Sequence, residues 1–293
     1  MFMERRLLRL SKLDERRGSA DAITRLPVAA LRPFVALVWA SGADAPDPAV
    51  TQAASELMLP TGATHLAIRL SEQPLWISDT DSAAPQRFEG AMIAGARKRF
   101  YLRRSSALAS SVGAVLKPGA ARALLGVCAH ELAGAHTALA AAWGASCNEL
   151  RGRLLGARSG EERLRLLEAA LLARLPLACA VHPGVAAALG RMPELSRIRD
   201  AVQLSGLSHR QFIARFREAV GLDPKVYLRV LRLQATARAL RSHTAPLWEI
   251  ALDSGYSDQA HMTREFTEMA GVTPDRYRSA PDATSLHLPL PVP

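Results

Sequence analysis

Arg210, Gln211, Ile213, Ala214 and Arg217, and some fifty residues later Gln259, Ala260, Thr263 and Arg264, have types and spacings that suit one chemistry. An Arg fork chelates guanine O6 and N7, a Gln amide pairs with adenine N6 and N7, and Ala or Thr methyls touch the thymine methyl. Those contacts require the residues to share the exposed N-terminal face of a helix narrow enough for the major groove of a duplex. Arg229 and Arg232 lie between the two sets, spaced to hold phosphate and fix register without reading bases. Arg238 and Arg241 on the same stretch read equally well as a solvated face.

The elements that must position these side chains are two copies of one unit. Ser205-Gly206-Leu207-Ser208, followed by Phe216, Glu218, Gly221, Pro224 and Tyr227, recurs as Ser254-Gly255-Tyr256-Ser257, followed by Phe266, Glu268, Gly271, Pro274 and Tyr277. The offset is 49 from Ser205 to Ser254 and 50 from Phe216 to Phe266, so one residue is inserted between these points. In the first copy a helix around 196–204 puts Ile198, Ala201 and Val202 on one face and ends at Gly206, which tolerates positive φ. Ser208 then caps a second helix whose Phe212, Phe216 and Val220 face inward. The second copy repeats the arrangement with Leu247, Ile250 and Ala251 inward, Gly255 as stop, Ser257 as cap, and Met262, Phe266 and Met269 inward. Between the copies Asp223-Pro224 opens a helix, and 225–241 contains no breaker. At ~1.5 Å per residue that spacer is roughly 25 Å long, enough to set two reading helices about one duplex turn (~34 Å) apart.

These residues resemble the AraC/XylS-type DNA-binding domain of bacterial transcription regulators. The resemblance rests on Gly206-Leu207-Ser208, Phe212, Arg215-Phe216-Arg217, Gly221-Leu222, Pro224, Tyr227-Leu228, Arg232-Leu233 and Ala239-Leu240. It continues through Ile250-Ala251, Gly255 to Gln259, His261, Arg264, Phe266, Gly271 to Pro274 and Tyr277-Arg278, and spans about 183–280. It implies an all-α, seven-helix domain with two helix-turn-helix units. Gln234, Thr236 and Met262 depart from the family pattern, which affects sequence preference more than fold.

The segment ahead of the repeat reads as a different domain. Short β-like runs at 34–39, 56–59, 65–70, 75–78, 88–94 and 111–116, broken by turns such as Pro60-Thr61-Gly62 and Lys117-Pro118-Gly119, suggest a small barrel or sandwich. From 120 to 175 the pattern turns helical, with Leu124, Leu125, Cys128 and Leu132 on one face and Leu164, Leu167, Leu171 and Leu175 on another. The leucine face either serves a dimer or covers the barrel. Arg32 to Val35, Trp39, Glu56 to Gly62, Gly113 to Ala120, Glu131-Leu132 and Trp143-Gly144 resemble the N-terminal domain of one AraC subgroup, which implies a cupin-like barrel with appended helices. The expected fold class is therefore α+β, a β-rich cupin-like barrel followed by the all-α domain. The expected divisions are a basic extension over 1–26, a sensor or dimerisation domain over 27–182, the DNA-binding domain over 183–280 and a Pro-rich disordered tail over 281–293.

The net charge of +10 and pI of about 10.3 favour a polyanionic partner. Basic clusters outside the repeat, Arg5 to Arg17, Arg97-Lys98-Arg99 and Arg103-Arg104, read as solvated surface. The most apolar stretch, 171–189, is interrupted by Arg174, two prolines and His182, so no membrane span is expected. A charged N-terminus and three separated cysteines, Cys128, Cys147 and Cys179, fit reduced thiols in a bacterial cytoplasm.

Enzyme signatures fail on spacing. His130-Glu131 begins like a zinc-protease helix, but position 134 is Gly, and His136 lies about 240° around a helix from His130. His65 sits in a barrel strand without a His-x-His companion, and no phosphate loop or Gly-x-Ser-x-Gly elbow occurs. No catalytic residue, metal or cofactor is expected. Trp76 is a candidate wall of an effector pocket whose other residues are unknown; Trp39 and Trp143 read as core. The combined expectation is a one-component DNA-binding transcription regulator, whether activator or repressor being left open by the sequence. Double-stranded DNA is its partner, and RNA polymerase, a small-molecule effector and a second copy of the chain are further expected partners. An enzyme or protein-interaction module fused to a DNA-binding domain is the alternative.

Overall fold

A computed structural model describes residues 23–41, 53–79, 84–106, 110–175, 181–195, 197–242, 244–281 and 287–290. The basic cluster over Arg5 to Arg17, Cys179 and Ser196 lie outside the described residues. Two antiparallel sheets form the N-terminal half. One runs in the order β1 (Ile23–Arg25), β2 (Val35–Ser41), β9 (Ser111–Leu116), β4 (Thr64–Arg69), β7 (Ala91–Ala94), β10 (His136–Ala138). The other runs β11 (His287–Leu290), β3 (Ala53–Met58), β8 (Tyr101–Ser106), β5 (Leu75–Asp79), β6 (Gln86–Phe88).

Strand parity distributes the side chains, because alternate residues face opposite sides of a sheet. On the first sheet Val38, Ala114, Leu66 and Ile93 lie across from one another and pack outward against helices. Those helices are α1 (Ala120–Leu125), α2 (Ala129–Leu132), α3 (Ala140–Trp143), α4 (Ala145–Leu155) and α5 (Gly160–Leu172). On the inner face Ala67 and Met92 meet Leu75, Ile77, Phe88 and Tyr101 of the second sheet. The outer face of that second sheet carries a cross-strand row, Leu288, Leu57 and Leu102, which joins the core of the C-terminal half.

The C-terminal half is all α: α6 (Pro183–Arg191), α7 (Ile198–Ser205), α8 (His209–Val220), α9 (Pro224–Ser242), α10 (Leu247–Asp253), α11 (Gln259–Ala270) and α12 (Pro274–Ser279). The spacer helix begins at Pro224, as the Asp-Pro pair dictates, and runs 19 residues, about 28 Å. The expected inward residues Phe212, Phe216, Val220, Ile250, Met262, Phe266 and Met269 are all in the core.

Several expectations need correction. The run 88–94 is two strands in different sheets, because Gly90 at φ 69° turns the chain between them. Tyr101 to Ser106 is a strand that its paired arginines concealed, and Arg103 is half-buried: it lies on the face of Ile77, toward the other sheet, and pairs with Glu56. Residues 23–25, assigned to the extension, are the edge strand of the barrel, where the Arg25 fork pairs with the buried Glu168 of α5. Within the tail expected to be disordered, His287–Leu290 is strand β11, paired with β3 because Leu288 closes an apolar seam. The leucine face takes the second of its two readings, since Leu164, Leu167 and Leu171 are fully buried against the first sheet.

Candidate nucleic-acid interface

The first reading helix, α8, is fixed at both ends by its own sequence. The Ser208 hydroxyl accepts from the Gln211 backbone N–H, and Gln211 Oε1 accepts from the Ser208 N–H at 3.2 Å and hydroxyl at 2.8 Å, a closed capping box. At the other end Gly221 takes φ 85°. Arg210 and Ala214 are exposed near the helix start, and Arg217 is exposed but 3.2 Å from Asp223. Ile213 is only half-exposed and leans on the core. The capping box changes the expectation for Gln211: its oxygen is occupied, so bidentate pairing with adenine would first require the cap to open.

The second reading helix, α11, has a different cap from the one expected. Asp258, not Ser257, accepts the His261 N–H at 2.7 Å, while the Ser257 hydroxyl donates to Asp258 at 3.0 Å. The carboxylate is the stronger acceptor for a helix N-terminus, and that backbone bond holds Asp258 below its ordinary range. Gln259, Ala260 and Arg264 are exposed on the following turns, with Thr263 half-buried beside them.

Arg229 and Arg232 are placed otherwise than expected. Arg229 binds Glu265 at 2.8 Å and Glu268 at 2.7 Å, and Arg232 binds Glu265 at 2.9 Å while lying 4.9 Å above the Tyr256 ring. The Glu265 side chain is only 8% exposed. Both guanidiniums therefore fasten α11 to the spacer α9, while their side chains remain about 30% exposed. The hydrogen bond from Arg229 holds Glu268 below the usual carboxylate range, and burial pushes Tyr256 up to about 12. Sequence inspection missed Glu265, although Glu268 stood in plain view as the repeat partner of Glu218.

A second polar cluster lies between the sheets. His136 packs against the Tyr101 ring at 4.6 Å and Phe88 at 5.8 Å, and its Nδ1 is 2.8 Å from Arg97, which also pairs with Asp79. Arg97 Nε and His136 Nε2 are buried without a partner. Burial, then the charge of Arg97, pushes His136 down to about 3; burial alone takes His65 to about 4. Trp76 is not in this space: it alternates with the inward Leu75 and Ile77 and stands 39% exposed on the outer face. Among the described residues no group of three or more His, Cys, Asp or Glu is gathered to hold a metal ion. No helix among them is long and apolar enough to cross a membrane.

A family model described as a helix-turn-helix domain matches residues 202–280, from the middle of α7 through the spacer and the whole second unit. The chain carries an AraC-type DNA-binding domain. A second model, a domain of unknown function (DUF6597), matches 23–138. A putative AraC-like transcription regulator from Streptomyces antibioticus is 35% identical over 29% of this chain and 28% of its own length. The HTH-type transcriptional regulator Rv1931c of Mycobacterium tuberculosis is 32% identical over 33% of this chain and 38% of its own. The matched region thus spans about a third of those relatives' lengths. The solved structure of unsaturated fatty acid bound wild-type ToxT from Vibrio cholerae strain SCE256 aligns over 90% of this chain and 96% of that chain, at 9% identity and a TM-score of 0.44.

Proposed function

We propose that the whole chain is a transcription regulator, not an enzyme, that reads one duplex with both helix-turn-helix units. The observation that carries this reading is the pair of capped helices, each with an exposed Arg and small or amide side chains on its first turns, in two units linked by one unbroken 19-residue helix. In it Arg210, Ala214, Gln259, Ala260, Thr263 and Arg264 face base edges. Gln211, Ile213 and Arg217 flank them, and Arg229 and Arg232 serve by holding α11 in place. Residues 183–280 form the reading domain and 27–182, with β1 and β11 added, the barrel domain. Its place of action is the cytoplasm, where a bacterial duplex lies.

Selection of duplexes from a random pool by the full chain, followed by footprinting, tests this reading. The expected result is one protected tract with two half-sites about 10 base pairs apart. Absence of any discrete tract would overturn it. Arg210→Ala is expected to relax preference at a single base step and cost about 1–3 kcal/mol there.

The effector, in this reading, is a small polar molecule seated between the sheets, where Arg97 Nε and His136 Nε2 await partners. RNA polymerase and a second copy of the chain are further partners proposed from the family resemblance, and binding assays with each test them.

A further inference from the structure

The barrel half grips the two helix-turn-helix units at corresponding positions. Ala219 and Met269 correspond in the repeat, as do Glu218 and Glu268, and Gly221 and Gly271. The Gly119 N–H donates to the Ala219 carbonyl at 2.7 Å, and the Phe100 N–H donates to the Met269 carbonyl at 2.9 Å. Arg122 pairs with Glu218 at 2.7 Å, and Arg99 approaches Glu268 at 3.5 Å. A side chain on Gly221 would come 2.7 Å from the Ala129 carbonyl, and one on Gly271 would strike the Phe100 ring.

These contacts have a common physical cause. The last carbonyls of a helix have no partner within it, and a glycine just beyond leaves the end open to close approach. Each reading helix thus offers an orphan carbonyl, a carboxylate and a bare glycine at its C-terminal end. Two separate barrel segments, 99–100 and 119–122, take them up. The base-facing residues lie toward the other end, about 8 to 15 Å back along α8 and along α11. Midway, Gln234 on the spacer donates to the Pro60 carbonyl, and Gly62 lies against Tyr227.

We infer that the barrel domain is a two-point brace that sets the separation of the two reading helices, with Arg99, Phe100, Gly119 and Arg122 as positioning residues for half-site spacing. The spacing consequence rests on the proposed DNA-binding function; the brace itself does not. A change of barrel shape at 99–100 relative to 119–122 would alter the separation without touching a base-facing residue.

The test uses the full chain with Cys128, Cys147 and Cys179 replaced by Ser and spin labels on cysteines introduced at the exposed Leu204 and Leu252, one in each unit. Without DNA, electron–electron distance measurement on the parent is expected to give one narrow distribution, which Phe100→Ala with Arg122→Glu broadens or shifts. Should Phe100→Ala fail to fold, Arg99→Glu with Arg122→Glu carries the same test, since both side chains are more than half exposed. Adding Glu218→Arg to Arg122→Glu is expected to restore the narrow distribution. On duplexes whose half-sites are moved one base pair at a time, the variants' preference for the best spacing is expected to fall about threefold or more, with base preference within each half-site kept. Unchanged distances in folded variants would overturn the brace. Altered distances in a chain that binds no duplex would support the brace and defeat the DNA-binding reading.

Discussion

Gln234 reaches across the two halves of the chain: its Nε2 donates to the Pro60 carbonyl at 2.8 Å, and Gln234 is itself only 6% exposed. From sequence the residue looks like an odd substitution on a charged helix, and the barrel it docks against explains it. Gln234→Leu keeps the volume and strands the carbonyl, for which the cost is about 1–3 kcal/mol. Urea unfolding of the full chain should show that loss; no change in midpoint would mean that Pro60 finds another donor.

Arg232 and Glu265 make an opposite demand on the sequence reading. A phosphate contact would, on Arg232→Ala, weaken all duplexes alike and lower the salt dependence of binding. A structural clamp predicts otherwise. Removing Arg232 leaves Glu265 buried with one guanidinium fewer, a loss of up to about 3–5 kcal/mol. The variant should show a lowered Tm and faster amide exchange in α10 and α11, with the salt slope of any remaining binding unchanged. A normal Tm with a reduced slope would return Arg232 to phosphate.

The repeat was legible because helix caps and core spacing are local. Gly206, Ser208, Gly221 and Pro224 each act within a few residues of themselves, so their order alone wrote out α7 to α9. What could not be read are pairings over distance. Nothing near Arg103 signals that Glu56 awaits it across a strand, and nothing near Leu288 signals the row of Leu57 and Leu102. Trp76 fell on the wrong side because strand parity is set by pairing, which the sequence of β5 does not contain. The partners of Arg229 and Arg232 were hidden for a related reason: an exposed helix face and one that pairs with a helix 36 residues onward look alike.

His65 and His136 make the barrel acid-sensitive. Their folded-state values, about 4 and about 3, lie below the ordinary 6.5 of histidine. Above pH ~6.5 both are neutral whether the chain is folded or not, and their contribution to stability is fully present. As the pH falls below that value the unfolded chain takes up protons that the folded one refuses, so stability drops by about 1.4 kcal/mol per pH unit for each histidine. The loss for each ends as the pH passes its folded value. His65→Gln, which can still reach Thr61, should give a shallower fall between pH 6.5 and 4 in urea unfolding. Parallel curves for parent and variant would place the acid sensitivity elsewhere, with the Glu56–Arg103 pair the next group to examine.

Leu288 closes the seam between barrel and reading domain from the far end of the chain. It is 2% exposed, lies opposite Leu57 on the neighbouring strand, and belongs to the same core as Phe266 and Tyr277. Leu288→Ala is expected to cost about 2–5 kcal/mol, since a buried leucine loses both its transfer energy and the packing around the space it leaves. Truncation after Ala280 removes the whole strand and bares the edge of β3, whose unpaired N–H and carbonyl groups then offer a template to another chain. Size-exclusion chromatography of the truncated protein should show association that the point variant lacks. If both keep the parent's oligomeric state and Tm, β11 contributes nothing to holding the halves together.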